Sequence, residues 1–239
     1  MANRFIILLL SGLVIVAANG QDEKFQPEWN VGAGFGPAFS SVSFEPNSAL
    51  SLGGKISTEN IRQYSGGFAV RYITEKKLGL IAELNYSRQG WEQYFEPNQS
   101  GEASPYQHSH QLNYLELPVL THIYFGNKVR FFVNLGPKIS FLISDGEKMN
   151  RALSDELASG NMPASFVTHQ YYRMAEKKID YGLMGGMGLE FRTDVGHFAL
   201  EGRYTFGLGD IYNNRKSDFF NRSANRVISA KLTYYVKLF

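Results

Sequence analysis

The stretch IDYGLMGGMGLEFR, residues 179–192, decides the fold class because its side chains alternate with a period of two. Successive side chains of a β-strand point to opposite faces of the sheet. One face of this segment is apolar and carries Ile179, Tyr181, Leu183, Met187, Leu189 and Phe191. The other face is small or charged and carries Asp180, Gly182, Gly186, Gly188 and Glu190. The alternation therefore predicts a strand that separates an apolar environment from a polar one.

The same alternation recurs in seven further segments, at 29–44, 66–74, 80–87, 111–124, 130–143, 198–208 and 227–239. Short turns at 76–77, 125–128 and 193–196 alternate with long connections at about 45–65, 92–110, 145–177 and 210–224. Outer-membrane barrels have short periplasmic turns and longer external loops. We therefore predict an all-β protein, an eight-stranded antiparallel up-and-down transmembrane β-barrel with both ends of the chain in the periplasm.

Hydropathy alone would indicate a soluble exported protein, because the mean hydropathy is −0.24. A membrane barrel escapes that test, since only alternate residues of its strands face lipid. The 18 Phe and 14 Tyr suit the aromatic girdles of such a barrel. We place Trp91, Phe125, Phe131 and Phe132 in these girdles. The alternative is that the aromatic residues fill a soluble core, and the charged opposing faces of the strands argue against it.

The N-terminal 20 residues have the pattern of a secretory signal peptide. Arg4 precedes an apolar run, and the run closes with Ala18-Asn19-Gly20. We predict a signal peptide over 1–20, a short N-terminal lead over 21–28 and the outer-membrane β-barrel domain over 29–239. An uncleaved membrane anchor is the alternative, although the apolar run is short for a span of about 20 residues.

The charge balance excludes some function classes. With a formal net charge of +2, the chain has no strongly basic field of the kind that binds nucleic acid. The absence of cysteine excludes disulfide bonds. The expected partners are outer-membrane lipid and other envelope proteins.

The five histidines do not specify a catalytic or metal site. His122 and His197 stand near the predicted periplasmic turns, without the spacing of a catalytic triad. His108 and His110 could place two imidazoles on one side of a strand, but two ligands are too few for a structural zinc site. We expect them to be exposed residues of the rim. The sequence therefore predicts no enzyme activity, no catalytic residue, no metal and no cofactor.

The inward parity of the predicted strands selects charges of both signs in nearly equal number. A barrel of eight strands encloses room only for side chains or one small ligand. Because charges removed from water must pair, we predict a plugged lumen in which Glu116 and Glu201 engage Arg203 or Lys138. An ion pathway lined by charge is the alternative. The predicted interior charge network comprises Arg71, Glu83, Glu116, Arg130, Lys138, Asp180, Glu190, Arg192, Glu201, Arg203 and Lys231.

Glycines share the same inward parity. Interior positions of small barrels often alternate small and large residues. We predict that Lys138 and Phe132 extend from the fifth predicted strand toward the glycines of the first. The predicted interior glycines are Gly32, Gly34, Gly36, Gly182, Gly186 and Gly188.

Two segments of the third long connection stand out. Met149, Leu153 and Leu157 recur at helical spacing, which predicts a short helix within 145–159. The segment Tyr171-Tyr172-Arg173-Met174 either binds a partner through its aromatic residues or extends the strands above the membrane.

Several motifs in a set order give the chain a family resemblance. They are AELNYS at 82–87, NYLELPVL at 113–120, NLGPK at 134–138, DYGL at 180–183 and GLGDI at 207–211. Together they resemble the PorT-like outer-membrane β-barrel family, from about Trp29 to the C-terminal end. The resemblance implies a small barrel in the outer membrane. The founding member of that family is associated with type IX secretion and gliding-type machinery, so a secretion accessory is one functional alternative and a small porin-like channel is another.

One feature departs from the usual barrel pattern. Outer-membrane barrels usually end on an aromatic residue of lipid-facing parity, whereas Phe239 shares parity with Lys237 and Thr233. Either a bulge shifts the register near Val236, or Phe239 turns inward at the rim.

Overall fold

The structure is a computed structural model, and it describes residues 25–47, 56–97, 101–160, 166–213 and 218–238. Among these residues it contains one helix, and the remaining regular structure is β. The helix α1 is Arg151–Ser159. The strands are β1 Glu28–Pro46, β2 Thr58–Glu59, β3 Ile61–Glu75, β4 Leu78–Gln93, β5 His108–Gly126, β6 Val129–Met149, β7 Ile179–Thr193, β8 Gly196–Gly207 and β9 Phe220–Lys237.

The eight long strands form a closed antiparallel ring. Each pairs with its neighbours along the chain, in the order β1-β3-β4-β5-β6-β7-β8-β9, and β9 pairs with β1 to close the ring. The two-residue strand β2 pairs with the end of β4 as a short addition. The eight-stranded up-and-down barrel predicted from the alternating pattern is therefore confirmed.

An apolar belt surrounds the outside of the barrel. Large apolar side chains point outward on every long strand, and Phe68, Leu135 and Met187 are 71%, 58% and 61% exposed. Outward positions become polar at one end, where the side chains of Asn113 and Ser144 hydrogen-bond to each other at 2.6 Å. We call this the loop end, because the long connections lie there, and the opposite end the short-turn end.

The long connections contain less irregular chain than the sequence suggests. Strand β5 begins at His108 and β6 continues to Met149, so both extend past the apolar belt. The helix lies within the predicted range and begins at Arg151, where Asn150 accepts a hydrogen bond from the backbone N–H of Leu153 at 3.1 Å. Polar residues on both faces of a strand hide the alternation, which explains why these extensions were not predicted.

Two of the four predicted girdle residues lie inside the barrel. Phe125 and Phe131 are half exposed on the outer surface. Trp91 and Phe132 are 0% and 2% exposed, so their placement in the girdles was wrong. The reason is the two-residue alternation of the strands. Trp91 lies an even number of residues after the inward-facing Glu83 on β4, and Phe132 lies two residues after the inward-facing Arg130 on β6.

The two ends of the chain are described only in part. The predicted signal peptide, 1–20, and half of the predicted lead, 21–24, lie outside the described residues, as does Phe239. The pairing of β9 with β1 continues without a shift from Leu232 to Lys237, and the shift in that ladder lies at Glu45/Pro46. The described pairs therefore show no bulge near Val236. Of the helices described, none is long and apolar enough to cross a membrane.

Candidate functional site

The centre of the lumen is occupied by a salt-bridge cluster from opposite walls of the barrel. Nη1 and Nη2 of Arg203 on β8 each donate to one carboxylate oxygen of Glu83 on β4, both at 2.7 Å. Arg203 also donates to Glu201 at 2.7 Å, and Lys231 on β9 donates to Glu83 at 2.9 Å. Two carboxylates thus meet two cations, and all four side chains are buried. The cluster is electrically balanced and spans the barrel, since β4 and β8 lie opposite in the ring of eight.

A second group of polar side chains lies toward the loop end. Lys138 donates to Glu116 at 2.6 Å, and the amide of Gln89 donates to the same carboxylate oxygen at 2.7 Å. Asp180 accepts a hydrogen bond from the amide of Asn225 at 3.0 Å. Side chains of the neighbouring strands β4, β5 and β6 are therefore linked on this part of the inner wall.

A third group lies toward the short-turn end. Arg71 on β3 pairs with Glu190 on β7, again between opposite walls of the ring. Arg130 lies 3.8 Å from the other oxygen of Glu190. Below them, Glu28 accepts from Arg192 at 2.8 Å. Opposite charges thus face each other at three levels of the lumen.

The predicted interior charges lie on the inner wall. Ten of the eleven are buried, and Arg192 is partly exposed at the short-turn mouth. In the structure Glu116 engages Lys138 and Glu201 engages Arg203. Glu28 was missing from the predicted interior set because its strand was predicted to begin one residue later. Amides such as Asn85 and Asn134 were also missing, although inward parity alone could have identified them.

The glycines lie against close neighbours on adjacent strands. A Cβ atom on Gly34 would lie 2.5 Å from Oγ1 of Thr233 and 2.6 Å from Cε of Lys231. The prediction that Lys138 extends toward the glycines of the first strand was wrong, because Lys138 extends to Glu116 instead. Phe132 packs over Gly188 of its neighbouring strand, where an added Cβ would lie 2.7 Å from Cζ. Nearby side chains on paired strands, rather than residues across the barrel, fill these positions.

A small cavity of about 20 Å³ remains between the central and loop-end groups. It is lined by Asn85, Gln89, Glu116, Met184, Arg203 and Lys231, among others. A cavity needs roughly 10–15 Å³ to hold one water molecule. This cavity has room for about one water and is too small for a solute.

The loop end is closed by a mainly apolar cluster. Phe44 packs against Trp91 and Phe220 with ring centroids 5.1 Å apart in both pairs. Val167 and Ala175 join this cluster from residues 166–178, which we call the cap segment. The remaining members are Val42, Ile56, Leu112, Tyr114, Ile211, Tyr212 and Phe219. Side chains from strands and connections on several sides therefore bury one another above the apolar belt.

The two histidines expected on the rim are buried at this loop end. His108 and His110 are 1% and 0% exposed, which corrects the prediction that they are exposed. Nε2 of His108 lies 2.7 Å from Glu147, and Nε2 of His110 pairs with Asp145. Both carboxylates are on β6, so the strand extensions create the pairs. Among the described residues, no group of three or more His, Asp or Glu side chains is placed to hold a metal ion.

The same two carboxylates hold the cap segment. The backbone N–H of Tyr172 donates to both oxygens of Glu147, at 3.2 and 3.0 Å. The backbone N–H of Ala175 donates to Asp145. The two histidine–carboxylate pairs thus act as a bridge between the barrel wall and the cap segment.

Alternate side chains of the cap segment point in and out. The hydroxyl of Tyr171 donates to Gln93 at 2.9 Å, and burial raises the pKa of Tyr171 to about 12. Arg173 donates to Asp218 at 2.7 Å, and this hydrogen bond is the main cause that lowers the pKa of the Asp218 carboxyl. Tyr172 and Met174 are 70% and 52% exposed. The segment therefore presents two large side chains on a backbone that is held from beneath.

The sequence matches a known family over most of its length. The family model described as "Outer membrane protein beta-barrel domain" matches residues 19–213. The chain belongs to this family of outer-membrane β-barrels. It is accordingly an integral protein of the bacterial outer membrane, and its long connections lie on the outside, as in other such barrels. None of the curated proteins matches the chain.

Solved structures of small barrels resemble this fold at low sequence identity. Ail, the attachment invasion locus protein of Yersinia pestis, in complex with the heparin analogue sucrose octasulfate, is 14% identical. Its match covers 87% of this chain and 99% of Ail, with a TM-score of 0.42. Neisserial surface protein A is 12% identical, with 90% and 100% coverage and a TM-score of 0.42. These values describe a likeness between barrels and carry no argument about function.

Proposed function

We propose that this outer-membrane barrel is a non-enzymatic protein with a plugged lumen that acts through its loop-end surface. The observation that carries the proposal is the two-pronged contact between Arg203 and Glu83, because it joins opposite walls of the barrel with both partners buried. Opposite charges in a narrow lumen pair and block bulk flow. A further layer, the apolar cluster under the cap segment, closes the loop end. What remains available to a partner is the outer surface of the cap segment and the neighbouring connections.

The histidine contacts favour a structural role over catalysis. Nδ1 of His122 lies 2.7 Å from the amide oxygen of Asn134, and its ring packs on Tyr124 and Phe132. A nucleophilic mechanism would instead need a base beside a hydroxyl or thiol. An activity toward lipid or peptide substrates that disappears in His122→Ala would contradict the proposal.

Planar-bilayer recording tests the plug directly. We expect the purified wild-type protein to show no stable large single channels. A variant that removes the central cluster, Glu83→Ala with Arg203→Ala, should conduct measurably more than wild type if it folds. Arg151→Ala is the matched control, because that side chain lies on α1, is 93% exposed and is remote from the lumen. Stable large channels from the wild-type protein would favour the small porin-like channel instead.

A second candidate function is an accessory role in type IX-like protein secretion. The observation in its favour is the ordered set of PorT-like motifs, of which NYLELPVL at 113–120 is the most specific. We also infer export through a cleavable signal peptide over 1–20, from its charge and apolar pattern. Co-purification of the tagged full chain with secretion components from its own host would support this role. A preparation from the same membranes that contains none of them would argue against it.

A further inference from the structure

A cavity at the short-turn mouth is surrounded by cationic side chains. It measures about 520 Å³ and lies between the β5–β6 turn, the β7–β8 turn and the end of β9. We call it the periplasmic-mouth cavity. Its lining includes Lys128, Arg130, Arg192, His197, Val236 and Lys237. The function proposed above makes no use of this cavity.

Arg130 is the most informative residue of this lining. It is 9% exposed, and its guanidinium stacks on the ring of Tyr124 at 4.1 Å from the centroid. Its Nε and Nη1 atoms have no hydrogen-bond partner among the described residues. The nearest carboxylate is that of Glu190, whose Oε2 is paired with Arg71. Its Oε1 has no hydrogen-bond partner among the described residues and lies 3.8 Å from Nη1 of Arg130, too far for a hydrogen bond. A buried guanidinium with unsatisfied N–H groups is costly, so an acceptor in the cavity would stabilise it.

The charges around the cavity are unbalanced. Lys128, Arg130, Arg192 and Lys237 line it, and Arg71 shares the carboxylate of Glu190 with Arg130. The carboxylates near them are those of Glu28, Glu190 and Asp194. Glu28 is shared between Arg192 at 2.8 Å and Lys237 at 3.9 Å. Among the described residues, these five cations therefore stand against three carboxylates, an excess of two positive charges.

The chemistry of the lining selects a class of ligand. Guanidinium groups donate in a planar fork that fits two oxygens of a phosphate, and lysines add point charges. Val195 and Val236 are 76% and 41% exposed beside these cations, and Val236 lies on the lipid-facing side of β9. A ligand with a phosphate next to an apolar chain would satisfy both parts of the lining.

We propose that the periplasmic-mouth cavity binds a phosphate group, carried by a phospholipid of the adjacent leaflet or present as a free phosphate. Arg130 and Arg192 bind its oxygens, and Lys128 and Lys237 hold it electrostatically. The exposed valines accept the first part of an acyl chain when the phosphate belongs to a lipid.

Calorimetric titration of the refolded protein in an uncharged detergent at low salt tests the proposal. The probes are dihexanoyl-phosphatidylglycerol, glycerol phosphate and inorganic phosphate. We expect binding to the wild-type protein that weakens at least tenfold in Arg130→Gln. Tighter binding of the lipid than of the two soluble probes would assign the site to a lipid head group. Equal binding of all three would assign it to free phosphate.

Two further variants keep the test decisive if Arg130→Gln fails to fold. Lys128→Gln with Lys237→Gln changes two exposed side chains of the lining and should weaken binding several-fold. Lys76→Gln, on the β3–β4 turn of the same rim but outside the lining, should leave the affinity unchanged. The proposal is overturned if no probe binds, or if Lys76→Gln weakens binding as much as the double variant does.

Discussion

Glu83 and Arg203 meet across the full width of the barrel, with two parallel hydrogen bonds of 2.7 Å between guanidinium and carboxylate. They are 120 residues apart in the chain and sit on strands that lie opposite in the ring. Such a contact couples the closure of the ring to the pairing of charges inside it. The barrel can bury Glu83 without a large penalty only when β8 is in place.

Replacing Arg203 by Met should strongly destabilise the barrel. The change leaves Glu83 and Glu201 with Lys231 as their remaining cation, and breaking a buried pair costs about 3–5 kcal/mol. Urea unfolding in lipid vesicles measures the loss. Arg151→Met, at an exposed pair on α1, should leave the urea midpoint almost unchanged.

The double variant Glu83→Gln with Arg203→Met checks the physical cause. It removes the uncompensated carboxylate, so its destabilisation should be smaller than the sum of the two single changes. Strict additivity would show that Glu83 and Arg203 do not act as a pair.

Gly34→Leu should hinder folding into detergent or lipid. An added side chain meets Thr233 and Lys231 within 2.6 Å, and overpacking a filled interior costs about 1–3 kcal/mol or more. The heat-modifiable mobility of the folded barrel on a gel reports the folded fraction. Gly202→Leu is the matched control, because that glycine faces outward and an added Cβ would meet only Met187 O, at 4.0 Å. An equal folded fraction for both variants would contradict the packing assigned to Gly34.

Asp145→Ala should release the cap segment. The change removes the acceptor of the Ala175 N–H and the partner of His110 together. Hydrogen bonds to charged groups contribute about 1.5–3 kcal/mol each, so trypsin should cleave at Arg173 and Lys177 about tenfold faster or more. Asp155→Ala, on α1, removes an exposed carboxylate and should leave the cleavage rate unaltered. An unchanged rate in Asp145→Ala would show that other contacts hold the segment.

The ion pair between Arg173 and Asp218 should stabilise the cap segment in a pH-dependent way. The pKa of Asp218 is lowered in the folded protein, so its contribution is present above the ordinary pKa of about 4 and is lost as pH falls through the lower folded value. Carbon NMR of labelled aspartate should show the pKa of Asp218 rising toward that ordinary value in Arg173→Gln. Lys177→Gln should leave the titration in place, because Lys177 is paired with Asp210 at 3.8 Å. A pKa unmoved by Arg173→Gln would show that the pair is absent in solution.

Some features of the structure could be predicted from local sequence patterns alone, and others depend on contacts between distant segments. The helix is an intermediate case, since the spacing of Leu153 and Leu157 indicated it while the capping side chain of Asn150 determines where it begins. The burial of Trp91 could have been predicted from its parity with Glu83, although its large aromatic ring suggested a girdle. The burial of His108 and His110 could not, because it requires β5 and β6 to continue together beyond the apolar belt and the cap segment to cover them.

The sequence by itself determined the barrel, the number of its long strands and the side on which most charges of the lumen lie. These follow from a two-residue period, which is a property of each strand alone. Only the tertiary structure decided which charges pair, as with Glu83 and Arg203, and which N–H groups are left without a hydrogen bond, as with Nε of Arg130. The physical reason is that pairing depends on the register and closure of all eight strands, which bring residues more than 100 positions apart within hydrogen-bond distance.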